Sequence, residues 1–254
     1  MPEDLHKYYV HEQYDIPASG DNFELRAQSQ GWKLDLLKPF VTRGDLLEVG
    51  PATGEFATLA RRMGFKPTLI EMNRECCSFL RDVLEHNVIE SDAPLGCLHE
   101  DDIFDAICVW QAIEHIPKFW EFMAEAARHL RAGGVFAIST PNPVSFQAQL
   151  MRARWPHADA PRHLYLVPPK WFEHACRAWG LRVVKVTTRD EGSIGLNYYG
   201  WFLWLRNHLG RYLSHNRVSK IAAVLTNFFK PWEIIEGKGC SYVLVMVKEQ
   251  PVKT

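Results

Sequence analysis

The sequence predicts an α/β fold: a mostly parallel sheet covered by helices on both faces, with lid insertions. Three observations carry this expectation. Short apolar runs alternate with stretches of helical period, as βαβ units require. One of those runs leads straight into a glycine-bearing turn that opens a helix. The composition is that of a folded chain, with 254 residues of which 47% are hydrophobic and 23% charged. That length supports one large domain or two small ones with a real core, and excludes a low-complexity chain.

The elements follow in order. Residues 45–50 read as a first strand, and 55–63 as a helix closed by Gly64. A second strand is expected at 68–71, a helix from about 73 to 85, and a weaker third strand at 87–90. Residues 105–110 form a strong fourth strand. A helix at 118–130 is expected to end on Ala132-Gly133-Gly134, a C-terminal stop signal. The fifth strand, 135–139, should stop at Pro141. A helix at 170–179 closes on Gly180, and 181–187 and 241–247 are the last two strands, making seven.

Three segments interrupt this rhythm. Residues 1–40 read as an N-terminal cap with Tyr8, Tyr9 and Tyr14 ahead of a helix at about 23–37. Tyr14 and Arg26 are candidate ligand contacts there; an ordinary covering helix is the alternative. Residues 142–169 hold five prolines, and connections that long are usually lids or irregular insertions. Residues 192–239 form a second insertion, helical in part. All three are read as parts of one domain spanning 1–254.

Lys plus Arg number 29 and Asp plus Glu 30, so the formal charge is -1 and a whole-chain nucleic-acid footprint is absent. None of the six cysteines sits in a C-x-x-C pair, which argues against structural zinc. They read as buried thiols of a reducing compartment. The polar, acidic start Met1-Pro2-Glu3-Asp4 lacks the apolar run of a secretory signal, so a cytoplasmic location is expected.

The most informative stretch is Leu46-Leu47-Glu48-Val49-Gly50-Pro51-Ala52-Thr53-Gly54-Glu55-Phe56. Glycine lets backbone approach a ligand, and a helix N-terminus offers unpaired N–H groups. A dinucleotide fingerprint starting at Gly50 needs glycine at 52 and 55, where Ala52 and Glu55 stand. Glu55 would also repel a pyrophosphate. A nicotinamide reading therefore fails on its own motif.

The turn resembles motif I of class I S-adenosylmethionine-dependent methyltransferases, E/D-x-G-x-G-x-G, with Glu48, Gly50 and Gly54 matching and Ala52 replacing the middle glycine. The runs Phe104-Asp105-Ala106-Ile107 … Glu114-His115-Ile116-Pro117, Leu130 … Gly133-Gly134 and Thr140-Pro141-Asn142 are similar to the ubiquinone-type O-methyltransferase branch. The resemblance covers about residues 40–190. It implies a Rossmann-like seven-stranded sheet, S-adenosylmethionine as methyl donor and S-adenosylhomocysteine as product. It places Glu48, Gly50, Ala52 and Gly54 around the cofactor, Glu71 on the ribose, Met72 against the adenine, Asp92 near the adenine amino group, and the backbone of Trp110 and Gln111 beside it. For Glu71 alone, the plainer alternative is a helix-N-terminal acid.

Methyl transfer to oxygen needs a base, and a neutral imidazole can serve. His115 lies beyond the fourth strand, at the edge where open α/β sheets bind ligands; the alternative is a ring that caps the next helix. His163 falls in Trp155-Pro156-His157-Ala158-Asp159-Ala160-Pro161-Arg162-His163-Leu164, which resembles the family's W-x-x-x-D-x-P-R-H-L segment. The alternative is a structural loop with Arg162 paired to Asp159. Ubiquinone-type and small-RNA 2′-O-methyltransferases carry metal ligands E-x-x-E-H here. The corresponding residues are Gln111, Glu114 and His115, with His163 downstream, and Gln111 weakens a hard-cation site by removing a charge.

From Gly192 to Trp232 there is no Asp or Glu, while basic and aromatic side chains interleave. The charge-free part ends at Leu205, too short to span a bilayer. The segment 194–230 suits peripheral membrane contact, or a helical cap lining a substrate pocket. RNA stacking is a weaker third reading. The resulting expectation is a methyltransferase acting on oxygen of a small molecule or a glycan- or lipid-linked intermediate. The rival is a catalytically silent S-adenosylmethionine-binding scaffold.

Overall fold

The computed structural model describes residue 16 and residues 22–250. Seven strands form one sheet: β1 Gly44–Val49, β2 Phe65–Glu71, β3 Asn87–Glu90, β4 Phe104–Trp110, β5 Leu130–Pro141, β6 Leu181–Thr187 and β7 Ser241–Lys248. Their order is β3-β2-β1-β4-β5-β7-β6. β1 to β5 pair in parallel, and β7 runs antiparallel between β5 and β6. The expected Rossmann-like, mostly parallel sheet is thus the observed one, and β1 to β5 end on one edge.

Side-chain alternation divides the core into two layers. Leu47, Val49, Ile107, Val109, Phe136 and Ile138 face α5 (Phe119–His129) and α7 (Pro169–Ala175). Leu46, Ala106, Cys108, Val135 and Ala137 face α2 (Gly31–Leu37) and α3 (Glu55–Arg62). Glu48 and Trp110 have the parity of the second set, which directs both to the α2–α3 side. All six cysteines are free. Cys76 and Cys77 are buried in α4 (Arg74–Ser78), where desolvation pushes their thiols up to about 12 and about 11.

Four local expectations need correction. The N-terminal helix is two helices, α1 (Phe23–Gln28) and α2, because the Ser29 hydroxyl donates to the Arg26 carbonyl at 2.7 Å and breaks the ladder. The helix expected over 73–85 is α4 followed by a π-helical turn, Phe79–Val83, which packs Leu80 with Ala57 and Leu69. Helix α5 ends at His129, and β5 begins at once on Leu130, so Gly133-Gly134 are strand residues. A Cβ at Gly134 would lie 2.9 Å from the Asp105 carbonyl oxygen, so glycine there lets β5 close on β4. β5 runs past the expected end at 139 and stops at Pro141, its last residue, paired with Ser241.

The two insertions make a third core. The 142–169 segment contains α6 (Phe146–Met151), and 192–239 is largely a helical hairpin of α8 (Glu191–Leu209) and α9 (His215–Glu233). Met151 and Trp155 of the first pack with Trp201, Phe202, Leu205, Val218 and Ala222 of the second. Tyr8, Tyr9 and Tyr14 lie outside the described residues.

Candidate active site

The carboxyl edge of β1 turns through Gly50-Pro51-Ala52-Thr53-Gly54 into α3. Three residues of the turn adopt positive φ: Gly50 (70°), Ala52 (51°) and Gly54 (80°). Gly54 is required twice over, because a Cβ would collide with Leu80 and the backbone is left-handed. Ala52 holds a left-handed conformation that glycine adopts without strain, at a cost of about 1 kcal/mol.

Glu71, at the end of β2, is 4% exposed and closes this corner. Its carboxylate accepts the N–H groups of Ala52 at 3.1 Å, Met72 at 2.9 Å and Asn73 at 2.8 Å. These donors orient the carboxylate towards the turn. Met72 beside it is 45% exposed, as an apolar ring-contacting residue would be before a ligand arrives. Asp92 is exposed beyond β3. Arg26 stands 3.2 Å from Glu55, so its partner among the described residues is the first acid of α3.

A cavity of about 450 Å³ opens over the ends of β4, β5 and β7. Trp110, Gln111, Ser139 and Ser241 form its base, Trp32 and Lys33 of α2 one wall, and Asp190 to Ser193 with Leu196 the other. Trp32 and Phe56 meet Trp110 edge-on at 5.8 and 5.4 Å, and the Lys33 ammonium lies 4.9 Å from the Trp110 ring centroid. A Cβ at Gly192 would be 2.8 Å from Trp32, so α8 reaches the wall only because residue 192 lacks one. Burial pushes Glu48 upward and Lys33 downward from their ordinary values, while their mutual attraction opposes both shifts. One Glu48 oxygen and the Trp110 indole N–H are buried with no hydrogen-bond partner among the described residues. Gln111 has φ of 52° and donates from its side chain to Ser241 at 2.7 Å.

Next to the cavity, but not lining it, a second cluster joins the end of β4 to the 155–164 loop. The His115 and His163 rings sit edge-on, 4.7 Å between centroids. His115 Nδ1 lies 3.2 Å from the Arg162 carbonyl, and His163 Nδ1 lies 2.8 Å from the His157 carbonyl. Carbonyls only accept, so both Nδ1 atoms carry the proton. His163 Nε2 is 4.0 Å from Glu114 and 3.9 Å from Asp159, which is itself paired with Arg162. Glu114 is 2% exposed; burial pushes its carboxyl up to about 7, against the Thr140 hydroxyl that donates to it at 3.0 Å. Burial, with His163 nearby, pushes His115 down to about 4. Ligand atoms of Glu114, His115 and His163 all lie within 4.8 Å of one another.

The profile of the methyltransferase domain family matches residues 24–186. This chain belongs to that family. A probable S-adenosylmethionine-dependent methyltransferase of Mycobacterium tuberculosis is 28% identical over 116 residues, covering 43% of this chain and 40% of that protein. A ubiquinone biosynthesis O-methyltransferase of Paramagnetospirillum magneticum is 29% identical over 110 residues, 42% of this chain and 44% of that one. The matched stretch is thus about two-fifths of the length of the curated relatives. Among solved structures, a SAM-dependent methyltransferase of Archaeoglobus fulgidus superposes with TM-score 0.58 at 19% identity, covering 88% and 94% of the two chains. The cyclopropane synthase MmaA2 of Mycobacterium tuberculosis gives 0.55 at 15% identity, covering 93% and 87%. These likenesses establish the fold.

S-adenosylmethionine is the cofactor of this family, and the corner fits it. The buried Glu48 oxygen and Trp110 N–H await polar partners, Gly50 and Gly54 keep the turn bare of side chains, and Glu71 is oriented at the end of β2. The structure brings Glu48, Gly50, Ala52, Gly54, Glu71, Trp110 and Gln111 to one edge. The Gln111 side-chain amide donates to Ser241 at 2.7 Å. The ring of His115 meets the Arg162 carbonyl through Nδ1. Trp32, Lys33 and Ser139 were not foreseen as cavity residues, since nothing in their spacing marks them. The sequence does signal Asp190: it stands three residues before Ser193, and its side chain caps α8 by accepting the Ser193 N–H at 2.9 Å.

Proposed function

We propose that this protein is an S-adenosylmethionine-dependent methyltransferase acting on an oxygen of a small molecule or of a glycan- or lipid-linked intermediate. The observation that carries the reading is the bare 50–54 turn facing the oriented Glu71 carboxylate, on the same sheet edge whose β4, β5 and β7 ends carry the 450 Å³ cavity. When bound, the cofactor supplies a methyl group already activated on a sulfonium centre, so positioning carries much of the catalysis. Glu71 would hold the ribose, Met72 and Asp92 the adenine, and the 50–54 backbone the amino-acid tail. Lys33 would offer its ammonium to the tail's carboxylate.

The acceptor enters between α2 and α8. Trp32 and Trp110 shield the cavity from water, and Gln111, Ser139 and Ser241 offer it hydrogen bonds. His163 would take the proton on Nε2 from an acceptor that reaches past the cavity lining to the His115–His163 pair, because its Nδ1–H is engaged by the His157 carbonyl. His115, held near 4 by burial, is too weak a base for this and instead positions the His163 ring. The O-methyltransferase among the relatives supports oxygen as the atom methylated.

Calorimetric titration with S-adenosylmethionine and with its demethylated product tests the reading first. Saturable binding that Glu71→Ala weakens roughly 10–100-fold is the expected result. Absence of binding by either compound would overturn it and bring forward the silent scaffold.

A second reading rests on the convergence of Glu114, His115 and His163. Histidines that ligate metals usually donate their other ring N–H to a carbonyl or carboxylate, as both do here. A divalent cation at this cluster would polarise the acceptor hydroxyl, as in a metal-assisted RNA 2′-O-methyltransferase, though the -1 net charge disfavours RNA. Titration with Mg²⁺, Mn²⁺ and Zn²⁺ checks it; turnover unchanged by chelator removes it.

A further inference from the structure

We propose that the α8–α9 hairpin seats this protein on an anionic membrane surface through an exposed apolar stripe of α9 flanked by basic residues. The proposal does not depend on the chemistry assigned above. The hairpin lies beyond the matched family region, which ends at residue 186.

Helix α9 carries two apolar stripes where a helix packed on a core needs one. Val218, Ala222, Leu225 and Phe229 pack inward with α8 and α6. Beside them Ile221, Val224, Phe228 and Trp232 recur at spacings of three and four residues and stay exposed, at 37, 66, 64 and 46%. Scattered exposed hydrophobics are ordinary, but a contiguous row marks a contact surface. Tyr212 in the hairpin turn, 72% exposed, and Ile234 and Ile235 after α9 extend the row at both ends.

The charges around the row indicate the partner. From Gly192 to Trp232 there is no acid. Arg206, Arg211, Arg217 and Lys220 are all exposed around the hairpin turn. Past the end of α9 the nearest acids are engaged elsewhere: Glu233 is buried and accepts from Gln147 and Trp201, and Glu236 accepts the Thr188 N–H; Asp190 and the exposed Glu191 stand at the start of α8, the end away from the basic turn. A symmetric contact with a second copy would press these cations on one another, since a two-fold interface pairs a patch with itself. An anionic lipid surface complements both features, and basic residues beside an apolar helical face are the signature of interfacial helices. No helix among the described residues is long and apolar enough to cross a membrane, so the contact is made in the plane of the surface. Helix α8 starts at the cavity wall and runs 19 residues, roughly 28 Å, to the basic turn. The hairpin therefore links the proposed membrane face to the cavity.

The test is co-sedimentation of the full chain with phosphatidylcholine vesicles, with and without phosphatidylglycerol. Binding is expected only to the anionic vesicles, weakening as salt rises. Val224→Asp with Phe228→Asp, and separately Arg211→Glu with Arg217→Glu, should each lower the partition coefficient at least roughly tenfold. These positions are exposed, so both variants should keep the circular dichroism and cofactor binding of the parent. A wild-type chain that stays in the supernatant with anionic vesicles overturns the proposal. So do variants that bind as the parent does, or a dimer in sedimentation equilibrium that the first variant dissolves while vesicles bind nothing.

Discussion

The two corners of the sheet's carboxyl edge are built in opposite ways. At β1–β2 the key contact joins Ala52 to Glu71, 19 residues apart, and three backbone N–H groups orient the acid. At β4–β5, His115 meets a carbonyl 47 residues away, Gln111 meets Ser241 130 residues away, and burial displaces ionisations in opposite directions. The first corner is held by backbone contacts within a short stretch of chain. The second is assembled from loops and insertions far apart in it, and the cofactor and acceptor roles proposed above follow that division.

If that division is right, the largest effect belongs to His163→Ala. It should lower turnover roughly 10²–10⁴-fold and leave cofactor affinity unchanged, as loss of a general base does. An equal loss of cofactor affinity in calorimetry would erase the distinction between the corners. Next is Gly54→Val, which combines a left-handed backbone with a collision against Leu80. It should cost about 2–4 kcal/mol in urea unfolding and remove cofactor binding. Glu71→Ala should weaken the cofactor roughly 10–100-fold, the range for losing charge-assisted hydrogen bonds, with the acceptor KM unaffected.

A smaller effect concerns pH. Burial pushes His157 down to about 4 from 6.5, so its contribution to stability is full above 6.5 and is lost as pH falls through 4. The stability advantage of wild type over His157→Asn should therefore shrink between pH 6.5 and 4; an advantage that grows would contradict the sign. The smallest change is Ala52→Gly. Relief of the positive φ should raise stability by about 0.5–1 kcal/mol in the same unfolding assay, without altering cofactor affinity.

Legibility in the sequence follows the same division. The strand at 45–50 and the turn behind it were readable because apolar alternation and glycine act on neighbouring residues. The π-helical turn at Phe79–Val83 was not, because its shape follows from where Leu80 must pack. Nor was the early start of β5, since Leu130 enters the sheet by pairing with Phe104. Glu114, His115 and His163 were named from motifs; their convergence was not visible in the motifs themselves.

The sequence by itself determined the alternating strands and helices, the left-handed turn before α3, the acid closing β2 and the acid-free hairpin. Each depends on backbone preference or composition over a few residues. Only the tertiary structure decided that Lys33 and Asp190 face one cavity, that Gln111 bonds Ser241, and that buried Glu114 comes within 4.0 Å of His163. Those relations depend on burial and on distances between segments far apart in the chain, which packing alone sets.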